Sequence, residues 1–358
     1  MSGIVMSRRF QNILEVLKDQ KIEALLLNSE ANVSYAAGFR APDSYGIATA
    51  HGLTLITDFR YTADFTRLAP AHVNVIATHK TFFKTICGLL KKESIKKVGF
   101  ESRSLSFAEC QTLLDLSKKK ITWIPLKETL ERLRVLKDEE ELGYIRKAVR
   151  ITLKAYAFIE KKIKEGVTEL SLAAEIERFI RLQGATSSAF DTIVASGPNS
   201  SYPHARISDR TLKKGDTIVM DMGVTVDGYK SDLTRTFFLG RINPVVRRVD
   251  AIVRCAQERA LRAVKPGASI KSIDLAARNY IEEKGFGKNF GHACGHGVGL
   301  EVHEAPFLNK KNNSPLEKGM VFTVEPGIYL PGDFGIRMEE MALVTRDGVE
   351  VLSGIVRY

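Results

Sequence analysis

The sequence predicts a two-domain α+β chain, with an α/β domain over roughly the first 125 residues and a larger domain after it. Its 358 residues, 44% hydrophobic and 27% charged, suffice for two buried cores of ordinary soluble composition. Short apolar runs alternate with helically spaced ones through the first third of the chain. Beyond residue 190, acids recur inside or at the ends of apolar runs, around a stretch rich in glycine and histidine.

Taken in order, Phe10, Ile13, Leu14 and Leu17 fall at helical spacing over residues 10–18. Residues 24–28 (ALLLN), 52–57 (GLTLIT) and 73–78 (VNVIAT) read as strands. Helical spacing over 81–90 precedes a strand at 97–101, a helix at 107–117 and a strand at 121–126. His51, His72 and His79 are isolated here and read as structural or exposed. A domain boundary is placed near residue 130, giving domains 1–130 and 131–358. The acidic run KDEEE at 137–141 suits a helix N-terminus through the macrodipole, and Gly166 stops that helix at about residue 164. A second helix spans about 168–182. Residues 191–206 (DTIVASGPNSSYPHAR) form a strand and a Gly/Pro/Asn/Ser loop that delivers His204. Strands at 217–226 and 229–239 flank Asp227-Gly228, a hairpin turn signal. Asn243-Pro244 supplies an N-cap and a first-turn proline to a helix running to about 264, and another helix spans about 270–284. The last strands read are at 321–329 and 335–343.

The net charge of +11 lies mostly in the first part, with +8 in residues 1–137 and +3 in residues 138–358. It falls in scattered pairs and triplets such as Lys118–Lys120 rather than in a basic stripe interleaved with aromatics, so nucleic acid is not an expected partner. Cys87, Cys110, Cys255 and Cys294 include no C-x-x-C pair and read as reduced thiols. No apolar run reaches the roughly 20 residues of a membrane span, and MSGIVMSRRF contains no apolar leader segment. A soluble, cytoplasmic protein is expected.

Gly291–Pro306 (GHACGHGVGLEVHEAP) gathers His292, His296 and His303 among Gly291, Gly295, Gly297 and Gly299. Each glycine costs a helix roughly 1 kcal/mol, so the stretch is expected to be irregular, with a backbone able to approach a ligand closely. Its imidazoles are either satisfied or exposed side chains, or else metal ligands and proton donors. In the hairpin, a two-residue turn sets 221 opposite 234 and 223 opposite 232, so Asp221 and Asp232 project to one face. Either each acid has its own cation, with Lys230 and Arg235 nearby, or a metal lies between them. Glu325 ends another apolar strand, and Arg337 and Glu339, two apart, share a face. Asp221, Asp232, His296, Glu325 and Glu339 together would form an oxygen-rich site suited to Mn²⁺, with Zn²⁺ or Co²⁺ as the other candidates. Two dications balance four carboxylates, and a pair roughly 3.5–4 Å apart activates water and polarises a carbonyl, which is hydrolytic chemistry. Cys294 is not needed as a ligand, since the oxygens suffice.

These five residues in this order, within the segments MDMG, SDLTRT, GHGVG, VEPG and IRME, resemble the metallopeptidase family of methionine aminopeptidase, aminopeptidase P and prolidase. The resemblance covers the whole second domain, and NVSYAAGF (32–39) and LITDFRY (55–61) resemble recurring segments of the family's N-terminal domain. It implies a pita-bread catalytic domain behind a creatinase/prolidase-type N-terminal domain, and a homodimer. It further implies that Asp221 binds one metal, that His296 and Glu325 bind the other, and that Asp232 and Glu339 bridge them. Glu325 would then move the proton as general base and acid. His204 and His303 would contact the substrate and the tetrahedral intermediate, His292 would shape a proline subsite, and Arg337 would orient the site beside Tyr329, which would itself contact the substrate.

A methionine aminopeptidase usually lacks both such an N-terminal domain and an arginine at the position of Arg337. The implied activity is therefore a metallo-exopeptidase acting on peptides with proline at the second position. It would cleave the bond between the first residue and proline, which has no amide N–H. Many prolidases carry an arginine four residues after the histidine at position 303, where this chain has Phe307. Xaa-Pro aminopeptidase is thus the expected activity and Xaa-Pro dipeptidase (prolidase) the alternative. A non-catalytic binding protein on the same fold is the reading from another class.

Overall fold

Residues 7–354 are described by the structure, a computed structural model, and the chain divides into two units, Met1–Arg134 and Val135–Tyr358. The first residues of the segment read above for a leader lie outside the described residues. Among the described residues no helix is long and apolar enough to cross a membrane.

The first unit runs α1 (Arg8–Asp19), β1 (Ala24–Leu27), α2 (Glu30–Ala37), β2 (Tyr45–Thr49), β3 (Gly52–Thr57) and α3 (Phe59–Leu68). It continues β4 (Val73–Ala77), α4 (Phe82–Lys92), β5 (Lys97–Glu101), α5 (Phe107–Ser117), β6 (Thr122–Leu126) and α6 (Thr129–Leu133). The strands form one mixed sheet in the order β4-β3-β2-β1-β5-β6, antiparallel through β1–β2–β3 and parallel elsewhere. As the spacing requires, α1 buries Phe10, Ile13 and Leu17, and Ser7 caps it by accepting from the Phe10 N–H. In this unit the elements that the sequence reading passes over are α2, β2, α3 and α6. In α2 the reason is plain: Asn32–Ala37 are all buried, so no polar face marks a helical period. His72 is buried, whereas His51 and His79 are exposed.

The second unit begins with α7 (Glu139–Glu160), α8 (Glu169–Leu182), β7 (Ser187–Ser188), β8 (Ile193–Ser196), β9 (Thr217–Met222) and β10 (Val224–Val226). There follow β11 (Tyr229–Lys230), β12 (Leu233–Phe238), α9 (Pro244–Arg262), α10 (Ile270–Glu283), β13 (Gly295–Gly297) and β14 (Glu304–Leu308). The last strands are β15 (Val321–Val324), β16 (Gly327–Leu330), β17 (Phe334–Arg337), β18 (Glu340–Val344) and β19 (Val349–Val351). Asp138 and Glu141 form a reciprocal cap at the start of α7, which explains the acidic run there. Asn243 caps α9 by accepting from Val245, with Pro244 in the first turn.

Strand order is β12-β9-β8 in one sheet, β11-β10-β7 in another, and β14-β13-β15-β18-β19 in the largest. Alternate residues of β18 feed two cores. Met341 and Leu343 join the cluster of α7 and α8, and Ala342 and Val344 join that of α9 and α10. Each helix pair therefore buries its apolar stripe on strands, and polar side chains are left to strand ends and the opposite face of the β9–β12 hairpin.

Candidate active site

The hairpin that carries the first two acids is set by its turn. Asp227 (φ 50°) and Gly228 (φ 89°) both take the left-handed conformation that a two-residue turn of the primed type needs. Val226 then pairs with Tyr229, Leu233 with Met222 and Thr234 with Asp221, as the two-residue turn predicts. The ladder is interrupted at Gly223, where a Cβ would overlap the Ser231 carbonyl oxygen. Met220, Met222 and Leu233 face the core of α7 and α8, while Asp221 and Thr234 belong to the opposite face. Asp232, at the interruption, is 4% exposed.

The glycine-histidine stretch holds a short strand, β13, between β14 and β15. Its glycines are required by strand packing: a Cβ at Gly295 would overlap the Thr323 carbonyl oxygen, and one at Gly297 that of Ala305, while Gly295 also lines the cavity described next. The His296 N–H donates to Thr323 Oγ1 (3.1 Å), and Thr323 Oγ1 donates to Glu325 Oε1 (3.3 Å). One hydroxyl thus ties both side chains to β15.

A cavity of about 760 Å³ is lined by Asp221, Asp232, His296, Glu325 and Glu339, together with His204, His292, His303 and Arg337. His296 Nε2 lies 3.4 Å from Glu325 Oε1 and 3.6 Å from Asp232 Oδ2. Ligand atoms of Asp232, His296 and Glu339 all fall within 4.8 Å of one another. Arg337 and Glu339 both reach the cavity although β17 ends between them. Tyr329, expected at the substrate, stands behind the lining residues: its hydroxyl accepts from Arg337 Nη1 (2.9 Å) and lies 3.1 Å from His292 Nε2. Cys294 is buried in the core of α9 and α10.

The electrostatics are those of like charges crowded away from water. Burial, then repulsion from Glu339, Asp221 and Glu325, holds the Asp232 carboxyl well above its usual range. Glu339 is raised in the same way, by burial and then by Asp221 and Glu325. Burial foremost pushes Glu325 up to about 7, with Asp221 adding to it and Arg337 opposing. His296 and His292 are lowered to about 4, chiefly by burial. Of the four acids, Asp221 alone pairs with an arginine among the described residues: Arg337 Nη2 lies 2.7 Å from Asp221 Oδ2. Arg235 pairs instead with Glu340 (2.9 Å), and the Lys230 ammonium donates to Thr225 Oγ1 (3.3 Å). The individual-cation reading of the two aspartates therefore fails for Asp232.

The sequence model of the Creatinase/Prolidase N-terminal domain matches residues 9–136, and that of Metallopeptidase family M24 matches residues 143–346. This chain belongs to metallopeptidase family M24. It is 35% identical to an Xaa-Pro dipeptidase of Pyrococcus horikoshii over 98% of this chain and 97% of that one. A solved Xaa-Pro dipeptidase from Bacillus anthracis superposes with a TM-score of 0.93 at 34% identity, covering 98% of each chain. A solved X-Pro aminopeptidase from Thermotoga maritima gives 0.90 at 36%, covering 98% of this chain and 99% of that one. The second unit is thus the pita-bread domain that the resemblance implied.

M24 peptidases depend on two metal ions, and the residues of this site fit such a pair. The donors are carboxylate oxygens and one imidazole, a set for hard or borderline dications. Asp221 Oδ1 is buried without a hydrogen-bond partner, an acceptor that a cation would satisfy. A dication also inverts the repulsion that raises Asp232 and Glu339. Two M24-site residues escape the sequence reading. Thr234 Oγ1 donates to Glu339 Oε2 (2.7 Å) and accepts from Arg337 Nε (3.0 Å), and Thr323 is the hydroxyl beneath His296 and Glu325. Strand alternation is the signal that finds them, since Thr234 faces Asp221 across the hairpin and Thr323 stands two residues before Glu325.

Proposed function

We propose that this chain hydrolyses the bond between an N-terminal residue and proline, with dipeptides as its substrates. The observation that carries the peptidase reading is the convergence of four carboxylates and His296 on one cavity. Relatives named Xaa-Pro dipeptidase span the chain end to end and favour the dipeptide. They reverse the order of preference drawn from Phe307, which had put the aminopeptidase first. The aminopeptidase stays as a second reading, favoured by Phe307 in the cavity lining and by the likeness to the X-Pro aminopeptidase structure.

In this reading Asp221, Asp232, His296, Glu325 and Glu339 hold two divalent ions, Mn²⁺ first among them. When bound, the ions supply the Lewis acidity that polarises the peptide carbonyl and acidifies water. Glu325, raised by burial, takes a proton from the attacking water and returns it to the proline nitrogen, which has none of its own. His204 and His303 touch the substrate from the cavity wall. His292, held against the Tyr329 hydroxyl, shapes the proline subsite. Arg337 fixes Asp221, Tyr329 and the Pro203 carbonyl at once, and so positions three parts of the site.

Hydrolysis of Ala-Pro beside Ala-Pro-Ala after Mn²⁺ addition tests this. Faster turnover of the dipeptide is expected. Preference for the tripeptide would give the aminopeptidase reading, and inertness toward both would overturn the Xaa-Pro assignment.

A further inference from the structure

We infer that Arg206 is the residue that takes the substrate's C-terminal carboxylate. The inference rests on the Xaa-Pro dipeptide reading above. A dipeptide brings a carboxylate into a cavity whose metal-binding end already holds four acids, so it needs a cation to set against it. Two arginines line the cavity, Arg206 and Arg337. Arg337 is spent, because its Nε, Nη1 and Nη2 are bonded to Thr234, Tyr329, Pro203 and Asp221. Arg206 makes no hydrogen bond or ion pair among the described residues, although the acids Glu177 and Asp191 line the same cavity. Phe307, half exposed in the cavity lining, offers no charge.

The segment that carries Arg206 is held on both sides. Pro203 accepts from Arg337 (3.0 Å), and the Ser208 carbonyl accepts from the Leu170 N–H (3.1 Å). Arg210, two residues further on, is clamped to Asp216 through both terminal nitrogens. His204 and Arg206, two apart, both reach the cavity, so the residue placed at the scissile end and the free guanidinium project from one short stretch. A guanidinium presents the planar fork that matches a carboxylate with two parallel hydrogen bonds. Anchoring the carboxylate there favours Xaa-Pro over longer peptides, whose third residue would occupy that place.

The test compares Ala-Pro with its C-terminal amide on the Mn²⁺-loaded protein, in wild type, Arg206→Gln and Arg206→Lys. In wild type kcat/KM for the acid should exceed that for the amide by about 10- to 100-fold, the worth of one charge-assisted pair. Arg206→Gln should bring that ratio close to one, through KM for the acid rather than kcat, and Arg206→Lys should recover part of it. Calorimetric titration with proline and prolinamide should show the same loss of discrimination in Arg206→Gln. An unchanged ratio, or equal losses on acid and amide, would overturn the inference. Should wild type hydrolyse neither compound, the Xaa-Pro reading itself has failed and takes the inference with it. That failure shows in the unmutated protein, so the two are told apart.

Discussion

At the scale of single residues, the site is a set of acids that only a cation makes tolerable. Asp232 is buried, raised by that burial and by its acidic neighbours, and makes no ion pair with an arginine or lysine among the described residues, so bound metal would favour its ionised form. Asp232→Asn keeps the shape and removes the charge. We expect the metal-free variant to unfold no earlier than wild type, while metal content falls and kcat/KM drops by at least about 100-fold, since even partners one step removed from a metal cost 10- to 100-fold. Full turnover in the variant would remove Asp232 from the metal site. Thr234 and Thr323 act differently: they bear no charge, and they fix the rotamers of Glu339, Glu325 and Arg337 from the strand face.

At the scale of elements, β13 is pressed between two neighbours. Gly295→Ala would drive a methyl into the Thr323 carbonyl, so β15 must shift and carry Glu325 with it. A loss of about 1–3 kcal/mol is expected, with metal content reduced in the folded fraction, as thermal unfolding and metal analysis would show. The start of α7 is joined to β14 by a buried pair, Lys137 Nζ to Glu304 Oε1 at 2.6 Å, with side-chain exposures of 1% and 5%. Lys137→Met takes the ammonium away from that buried carboxylate, and a destabilisation of roughly 3–5 kcal/mol should appear in denaturant unfolding. A milder effect would mean that Glu304 finds relief from its other neighbours. His303 immediately precedes β14, so substrate binding should weaken in the same variant.

At the scale of the whole molecule, metal and pH act on the same groups. In the metal-free protein Asp232 and Glu339 have raised pKa values, so the folded chain retains protons that the unfolded chain has lost. Stability from this source is present below the ordinary carboxylate range and is lost as pH rises through the raised values. His292, His296 and His303 are lowered and work the other way, losing stability as pH falls below about 6.5. The two sets oppose each other below pH ~6.5, and above it the carboxylates act alone. Calorimetry in chelator should therefore show unfolding temperature falling as pH rises past 6.5 and through about 7, where Glu325 also gives up its proton, by up to about 1.4 kcal/mol of stability per pH unit for each retained proton. Adding Mn²⁺ should restore stability most at the higher pH, because the ion replaces the protons. A flat profile in chelator would show that the acids are relieved in some other way.

Much of this was legible in the chain because it is local. The caps of α7 and α9, the amphipathic face of α1 and the two-residue turn at Asp227-Gly228 depend on neighbours within a few positions. The acids announced themselves because a carboxylate in an apolar strand is costly without a partner. By contrast, α2 has no exposed face to give it a period, and β13 looked irregular because its glycines answer to strands that are distant in sequence. Sequence alone determined which residues could bind metal and that the hairpin would bring two of them to one face. Only the tertiary structure decided that Arg337 goes to Asp221, that Arg235 goes to Glu340 and that Arg206 is left free. Which charges meet depends on distances between elements, and no periodicity along a chain encodes those.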